Sequence, residues 1–141
     1  MVSTASGTMD EIVGHIENLF TEVISVIEDQ ELQMTGPAFS YYTDYNPADG
    51  TTTLYCGIPV LKAGEPTDKV AAVTFPARKA IMALHTGPYE EFERSYTKMM
   101  EYVETHEIPV NWNAWEIYLN NPMEVKFPTL YETEIYFELE E

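Results

Sequence analysis

The same order of elements occurs twice in this sequence, and that duplication constrains the fold more than any other feature. SGTMDEI at 6–12 and TGPYEEF at 86–92 each open a helical segment behind a glycine-containing turn. FSYYTDYNP at 39–47 and WEIYLNNP at 115–122 each read as an aromatic strand that ends in asparagine and proline. LYCGIPV at 54–60 and TEIYFEL at 133–139 each close a copy as a second strand. The offset is about 75 to 80 residues, the mark of a duplicated αββ unit. The second copy has a strand ahead of its helix. The first has only MVSTAS, too short for an equal strand, so that edge is expected to be frayed, completed by a partner, or lost through a late start.

Within the first copy, Ile12, Val13, Ile16, Leu19, Phe20, Val23, Val26 and Ile27 recur at helical spacing, which predicts a helix over about 8–31. Thr8 and Glu11 form a T-x-x-E pattern in which each side chain can satisfy a backbone N–H of the first turn. Strands over 38–44 and 51–60 flank a turn built from Asn46-Pro47 and Asp49-Gly50 and pair as a hairpin. Two extended runs follow, 70–75 and 78–85, broken by Pro76. A second helix starts at Thr86-Gly87-Pro88, where the missing proline N–H costs nothing, and runs to about His106 with Phe92, Tyr96, Met99, Met100 and Val103 as its apolar face. Strands over about 112–119 and 129–139 complete the second copy. The expected fold class is α+β: two pseudo-symmetric (β)αββ repeats forming an antiparallel sheet, with two long helices on one face and a ligand groove on the other. Residues 1–141 form a single domain in this reading, with repeat one at about 7–60, a linker at about 61–69 and repeat two at about 70–139.

Charge narrows the function classes. Seven basic residues against 24 acidic ones give a net charge of −17. Binding to nucleic acid needs a basic face that displaces phosphate counterions, so direct contact with DNA or RNA is argued against, as is an anionic membrane. The same field concentrates cations, though an acidic balance also simply keeps a chain soluble. The single cysteine, Cys56, excludes an internal disulfide and a cysteine metal cluster, and its alternation with Leu54 and Ile58 places it in the core. His15, His85 and His106 lack the spacing of a zinc site, so no metal and no cofactor are expected. Met34, Met82, Met99, Met100 and Met123 read as core gap fillers. With no signal peptide and no long apolar run, the expected location is the cytoplasm.

One acid stands apart. In NWNAWEIYLNNP at 111–122, Glu116 sits among two tryptophans, an isoleucine, a tyrosine and a leucine. Alternation splits the strand into Trp115, Ile117 and Leu119 on one face, read as the helix-facing core, and Trp112, Ala114, Glu116 and Tyr118 on the other. The second set makes a slot with a charge at its centre, suited to a flat cation. On the last strand Tyr131, Thr133, Ile135, Phe137 and Leu139 face the core, while Glu132, Glu134, Tyr136 and Glu138 share the open face. Repeat one offers Ser40, Tyr42, Thr53 and Tyr55 there, so the carboxylate is a feature of one half only. The candidate ligand-binding residues are therefore Glu116, Trp112, Tyr118, Glu134, Tyr136, Tyr42 and Tyr55.

HTGPYEEF, WEIYLNNP and the terminal TEIYFEL resemble the gyrase-inhibitor-like (GyrI-like) fold, which is also the effector-binding domain of multidrug-responsive bacterial transcription regulators. The resemblance spans about 7–139 and implies a module that binds flat, often cationic organic compounds between its repeats. It implies a buried glutamate, Glu116 here, as counter-charge, with aromatic side chains stacking on the ligand. It also implies an alternative, a hydrolase of strained cyclopropane-bearing toxins or other electrophiles, with Glu116 as base and Tyr118 or Tyr89 as acid. A third reading is a protein-interaction module, such as a gyrase-binding protein, that uses the unpaired edge of repeat one. No helix-turn-helix segment is present, so a role in transcription regulation requires a DNA-binding partner chain or homodimer. As an effector-binding domain, the leading expectation is a stand-alone sensing or sequestering module for multidrug recognition.

Overall fold

A computed structural model describes residues 1–120 and 127–140 of the chain. The elements run β1 (Val2–Thr8), α1 (Met9–Val13), α2 (Ile16–Asp29), β2 (Phe39–Asn46), β3 (Thr51–Gly57), β4 (Val70–Ala71), β5 (Ala80–Thr86), α3 (Phe92–Thr105), β6 (Val110–Tyr118) and β7 (Glu132–Leu139). Short 3-10 turns cover Tyr89–Glu91 and Pro128–Leu130. The class is α+β, as expected, with seven strands whose pairings within each unit are antiparallel. Two compact units divide at Pro76 and Ala77.

The first unit corrects the sequence reading at its start. VSTASGT forms a full seven-residue strand that pairs with β3 from Val2↔Gly57 to Thr8↔Thr51. The segment looked too short because it lacks apolar alternation. Its stability comes from position: Val2 is buried, the Met1 ammonium donates to the Ile58 carbonyl at 3.1 Å, and β4 pairs with Val2 and Ser3 on its other side. The open edge proposed as a docking place is thus filled by this chain. The strand order is β4-β1-β3-β2, so Val70–Ala71 joins the first unit rather than opening the second repeat.

Thr8 caps α1, accepting from the Glu11 N–H as the T-x-x-E pattern predicts. The single helix expected over 8–31 is two helices, interrupted at Gly14 and His15, where glycine weakens the helix by about 1 kcal/mol relative to alanine. Leu19, Val23 and Ile27 recur at helical spacing and bury one face of α2. Ile12, Leu19, Leu54 and Cys56 form one core cluster, and Met1, Val23, Ile27, Ile58 and Val70 another. Cys56 is the buried thiol expected.

In the second unit the strand order is β6-β7-β5. Helix α3 lays Met99 and Val103 against Val110, Ala114, Ile135 and Phe137, with Phe92 and Tyr96 packed at the margin. Met100, read as part of that face, is half exposed, as are Met34 and Met82, so among the described methionines of the gap-filler group only Met99 fills that role. Met123 and the Asn121-Pro122 turn lie outside the described residues.

His85 joins β5 to the start of α3. Its Nε2 donates to the Pro88 carbonyl at 3.0 Å, which leaves Nδ1 to accept from the Ser95 hydroxyl at 2.6 Å in the neutral ring. Both ring nitrogens are thereby satisfied within a fully buried side chain.

Candidate functional site

Glu116 is the centre of the site, and it points the other way from the sequence reading. Direct partners in an antiparallel pair share a face. Glu116 pairs with Ile135, Ala114 with Phe137 and Tyr118 with Thr133, and all of these belong to the face under α3. Trp115 and Ile117, read as helix-facing core, pair with Tyr136 and Glu134 on the opposite face, and Leu119 is 42 % exposed just beyond the strand. Alternation correctly separated the two sets of residues. It could not say which set met the helix, because both are partly apolar.

Glu116 is 5 % exposed. Tyr96, from α3, donates its hydroxyl to Oε2 at 2.5 Å, and Tyr118 donates to Oε1 at 2.8 Å. Burial holds the Glu116 pKa above the ordinary glutamate range, while the Tyr96 and Tyr118 hydroxyls pull it partway back. Among the described residues no lysine, arginine or histidine forms an ion pair with it. Among the described residues the site thus has a desolvated acid with two neutral donors and no counter-ion. Thr133 Oγ1, fully buried on the same face, has no hydrogen-bond partner among the described residues.

Aromatic rings surround this acid. Tyr89 lies with its centroid 5.6 Å from Tyr118, 5.1 Å from Tyr131 and 5.4 Å from Phe92. Burial, with Tyr131 beside it, raises the Tyr89 pKa. Tyr96 stands 5.8 Å from Phe137, and Trp112 meets Phe137 edge-on at 5.6 Å.

Of the sequence candidates, the structure brings together Glu116, Tyr118 and, at the margin, Trp112. Glu134 and Tyr136 sit together on the opposite face, where burial and then the Glu134 charge raise the Tyr136 pKa. In repeat one, Tyr42 pairs with Leu54 and joins the core under the helices, with Ser40 beside Cys56 on that face. Tyr55 is on the other face, stacked 6.1 Å from Tyr41 with Phe75 against both. Tyr42 and Tyr55 therefore cannot line one surface.

Sequence reasoning missed Tyr96, which it took for apolar helix face. The available signal was chemical: a tyrosine at a core helix position carries a hydroxyl that must find a partner. Glu138, placed on an open face, is also buried, with 1 % exposure.

A cleft of about 570 Å³ lies in the first unit between β1, α2 and the 67–73 segment. Of the two acids that line it, Glu22 and Asp68, Glu22 already accepts from the Ser3 hydroxyl at 2.9 Å and faces Lys69 Nζ at 3.5 Å. That carboxylate is only partly buried and has a cationic partner, so it lacks the unmet demand for a cation found at Glu116. No group of three or more His, Cys, Asp or Glu side chains is arranged to hold a metal among the described residues. None of the described helices is long and apolar enough to cross a membrane.

Two βαββ repeats, one of which encloses an acid among aromatic rings, define a small-molecule-binding domain. The chain belongs to the GyrI-like small molecule binding domain family, which matches residues 1–140. The fold is similar to the C-terminal domain of EcmrR, with a TM-score of 0.79 at 19 % identity over 99 % of this chain and 90 % of that one. It is also similar to SAV2435 bound to tetraphenylphosphonium, with a TM-score of 0.66 at 12 % identity over 99 % and 87 % of the two chains. A hydrolase from Listeria innocua gives a TM-score of 0.60 at 15 % identity over 99 % and 85 %. No curated protein matches the sequence. At these identities the likenesses show the fold alone.

Proposed function

We propose that this domain binds an organic cation bearing flat apolar groups, with Glu116 as its counter-charge, and serves as a sensing or sequestering module. The observation that carries the reading is the buried Glu116 carboxyl, which has two tyrosine hydroxyls but no basic partner among the described residues. A ligand cation supplies the missing charge, and Tyr89, Tyr118, Phe137 and Trp112 supply ring faces and edges for its apolar groups. Tyr96 sits between α3 and the acid, so its hydroxyl yields as the ligand enters. That a protein of this fold is known bound to tetraphenylphosphonium supports the choice of probe. Calorimetric titration with tetraphenylphosphonium and with neutral triphenylphosphine oxide tests the reading. Wild type is expected to favour the cation, and Glu116→Gln to lose at least tenfold in affinity for the cation alone. Equal affinity of both proteins for the cation overturns it.

A second reading is hydrolysis of an electrophilic, strained substrate. It is favoured by the same contact, since a shielded carboxylate touching two phenols is an acid–base pair in place. Tyr96 and Tyr118 then share the acid role, and Glu116 is the base. Stoichiometric enzyme incubated with a cyclopropane-bearing electrophile distinguishes the two. Product formation that disappears in Glu116→Gln supports hydrolysis, and an unchanged substrate refutes it.

A further inference from the structure

Glu138 is an acid with 1 % exposure on a strand of the open sheet, and nothing in the cation site described above uses it. Its Oε2 accepts from Asn111 Nδ2 at 3.2 Å and Asn113 Nδ2 at 3.1 Å, and its Oε1 from Trp115 Nε1 at 2.8 Å. Arg78 Nε stands 3.9 Å from Oε1. Three of these groups come from one short stretch of β6, so the carboxylate acts on the shape of that strand.

The stretch is irregular. Val110 pairs with Leu139 and Ala114 with Phe137, so residues 111–113 face Glu138 alone. This is a bulge, a device that re-aims a side chain. Trp112 at its apex has a φ of +66°, the left-handed region that a bulky residue avoids. Asn111 Oδ1 accepts from the Asn113 N–H at 2.9 Å and closes the turn. The outcome is an indole that is 49 % exposed yet rests on Phe137, one ring away from the Tyr96 that touches Glu116. A strained backbone held by a buried acid, with an exposed tryptophan at its apex, is the pattern expected where strain serves a site.

We propose that Glu138 is a positioning residue: it clamps the 111–113 bulge and so sets the Trp112 indole at the rim of the Glu116 site, where it contributes a cation–π face. This rests on the cation-binding reading of Glu116. The ligand itself never meets Glu138.

The first test needs no ligand. In wild type, an NMR cross-peak is expected between the Trp112 indole and the Phe137 ring. Glu138→Gln keeps only one acceptor oxygen, so its NH2 must oppose either the two asparagine donors or the Trp115 indole N–H, and the loosened clamp should abolish that cross-peak. Asn111→Ala, at an exposed position that tolerates truncation, should do the same. A cross-peak retained in both folded variants overturns the clamp, whatever the ligand.

The second test uses tetraphenylphosphonium. Trp112→Ala is expected to weaken binding about fivefold. Glu138→Gln should weaken it similarly, while Glu138→Gln added to Trp112→Ala should bring no further loss. Equal losses in both backgrounds mean that Glu138 acts on the site by another route and overturn the proposal. Failure of wild type to bind the cation more tightly than Glu116→Gln overturns the cation reading and with it the rim role. The clamp itself is then still judged by the cross-peak.

Discussion

The Tyr96 hydroxyl lies 2.5 Å from Glu116 Oε2 and ties α3 to the strand beneath it. A helix residue and a sheet acid that would otherwise be separated by apolar packing thus share one proton donor. The bond satisfies half of a buried carboxyl group, and it also occupies the oxygen that an entering cation would seek.

Tyr96→Phe removes that donor and keeps the ring that packs near Phe137. Loss of a hydrogen bond to a buried group should lower unfolding stability by about 1–2 kcal/mol. If the hydroxyl only yields to the ligand, tetraphenylphosphonium affinity should be held or raised. A loss beyond fivefold would show that Tyr96 holds the ligand itself. Urea unfolding and calorimetric titration of one preparation give both numbers.

Gly57→Ala tests the strand that the sequence did not announce. A Cβ at position 57 would stand 2.6 Å from Val2 Cγ1, 2.8 Å from Phe39 Cζ and 2.9 Å from the Met1 carbonyl. Backbone and ring must move, at a cost of about 1–3 kcal/mol. Amide exchange in β1 should quicken more than in β7. Equal protection in both variants would mean that β1 does not press on β3 at this point.

The legibility of this chain follows from its physics. Periodic helices, the hairpin and the order of the repeats are local patterns, and the sequence carries them in Leu19, Val23 and Ile27 or in Asp49-Gly50. β1 was hidden because Ser3, Thr4 and Ser6 owe their strand to neighbours supplied from β3. The orientation of Glu116 was hidden for a related reason. It depends on the register with β7, and a one-residue slip exchanges the two faces. Ile135 and Phe137 were read as core, so pairing Glu116 with Ile135 would have placed the acid beneath the helix at once. The aromatic setting of Glu116 was visible throughout. Its tyrosine partner from α3 was not, because that contact links positions 20 residues apart.

Ser40→Glu asks why only one repeat carries the acid. Ser40 is fully buried opposite Cys56, on the side of Leu54 and Ile12. A carboxylate placed there is taken out of water in a space filled by a serine and should cost about 3 kcal/mol or more. Urea unfolding at neutral pH measures it, with Ser40→Ala as the size control. A cost within about 1 kcal/mol of the control would mean that repeat one could also house a charge, and that the asymmetry has no energetic basis.

The raised pKa of Glu116 predicts a pH dependence opposite in sign to that of a salt-bridged acid. Burial keeps its proton on in the native state to a higher pH than in the unfolded chain. Between the two values the native state binds more protons than the unfolded state, so this residue's contribution to stability falls as pH rises and levels off above the native pKa. Glu116→Gln does not titrate. Its stability relative to wild type should therefore climb from the ordinary glutamate range upward and then become flat, the other acids cancelling in the difference. Cation binding requires the ionised form and releases that proton. Affinity for tetraphenylphosphonium should then rise about tenfold per pH unit below the native pKa and become constant above it. Below that pKa, calorimetric heats measured in buffers of different ionisation enthalpy should differ by up to one proton's worth. Buffer-independent heats, with an affinity that does not change with pH, would mean that Glu116 is already ionised before the ligand arrives.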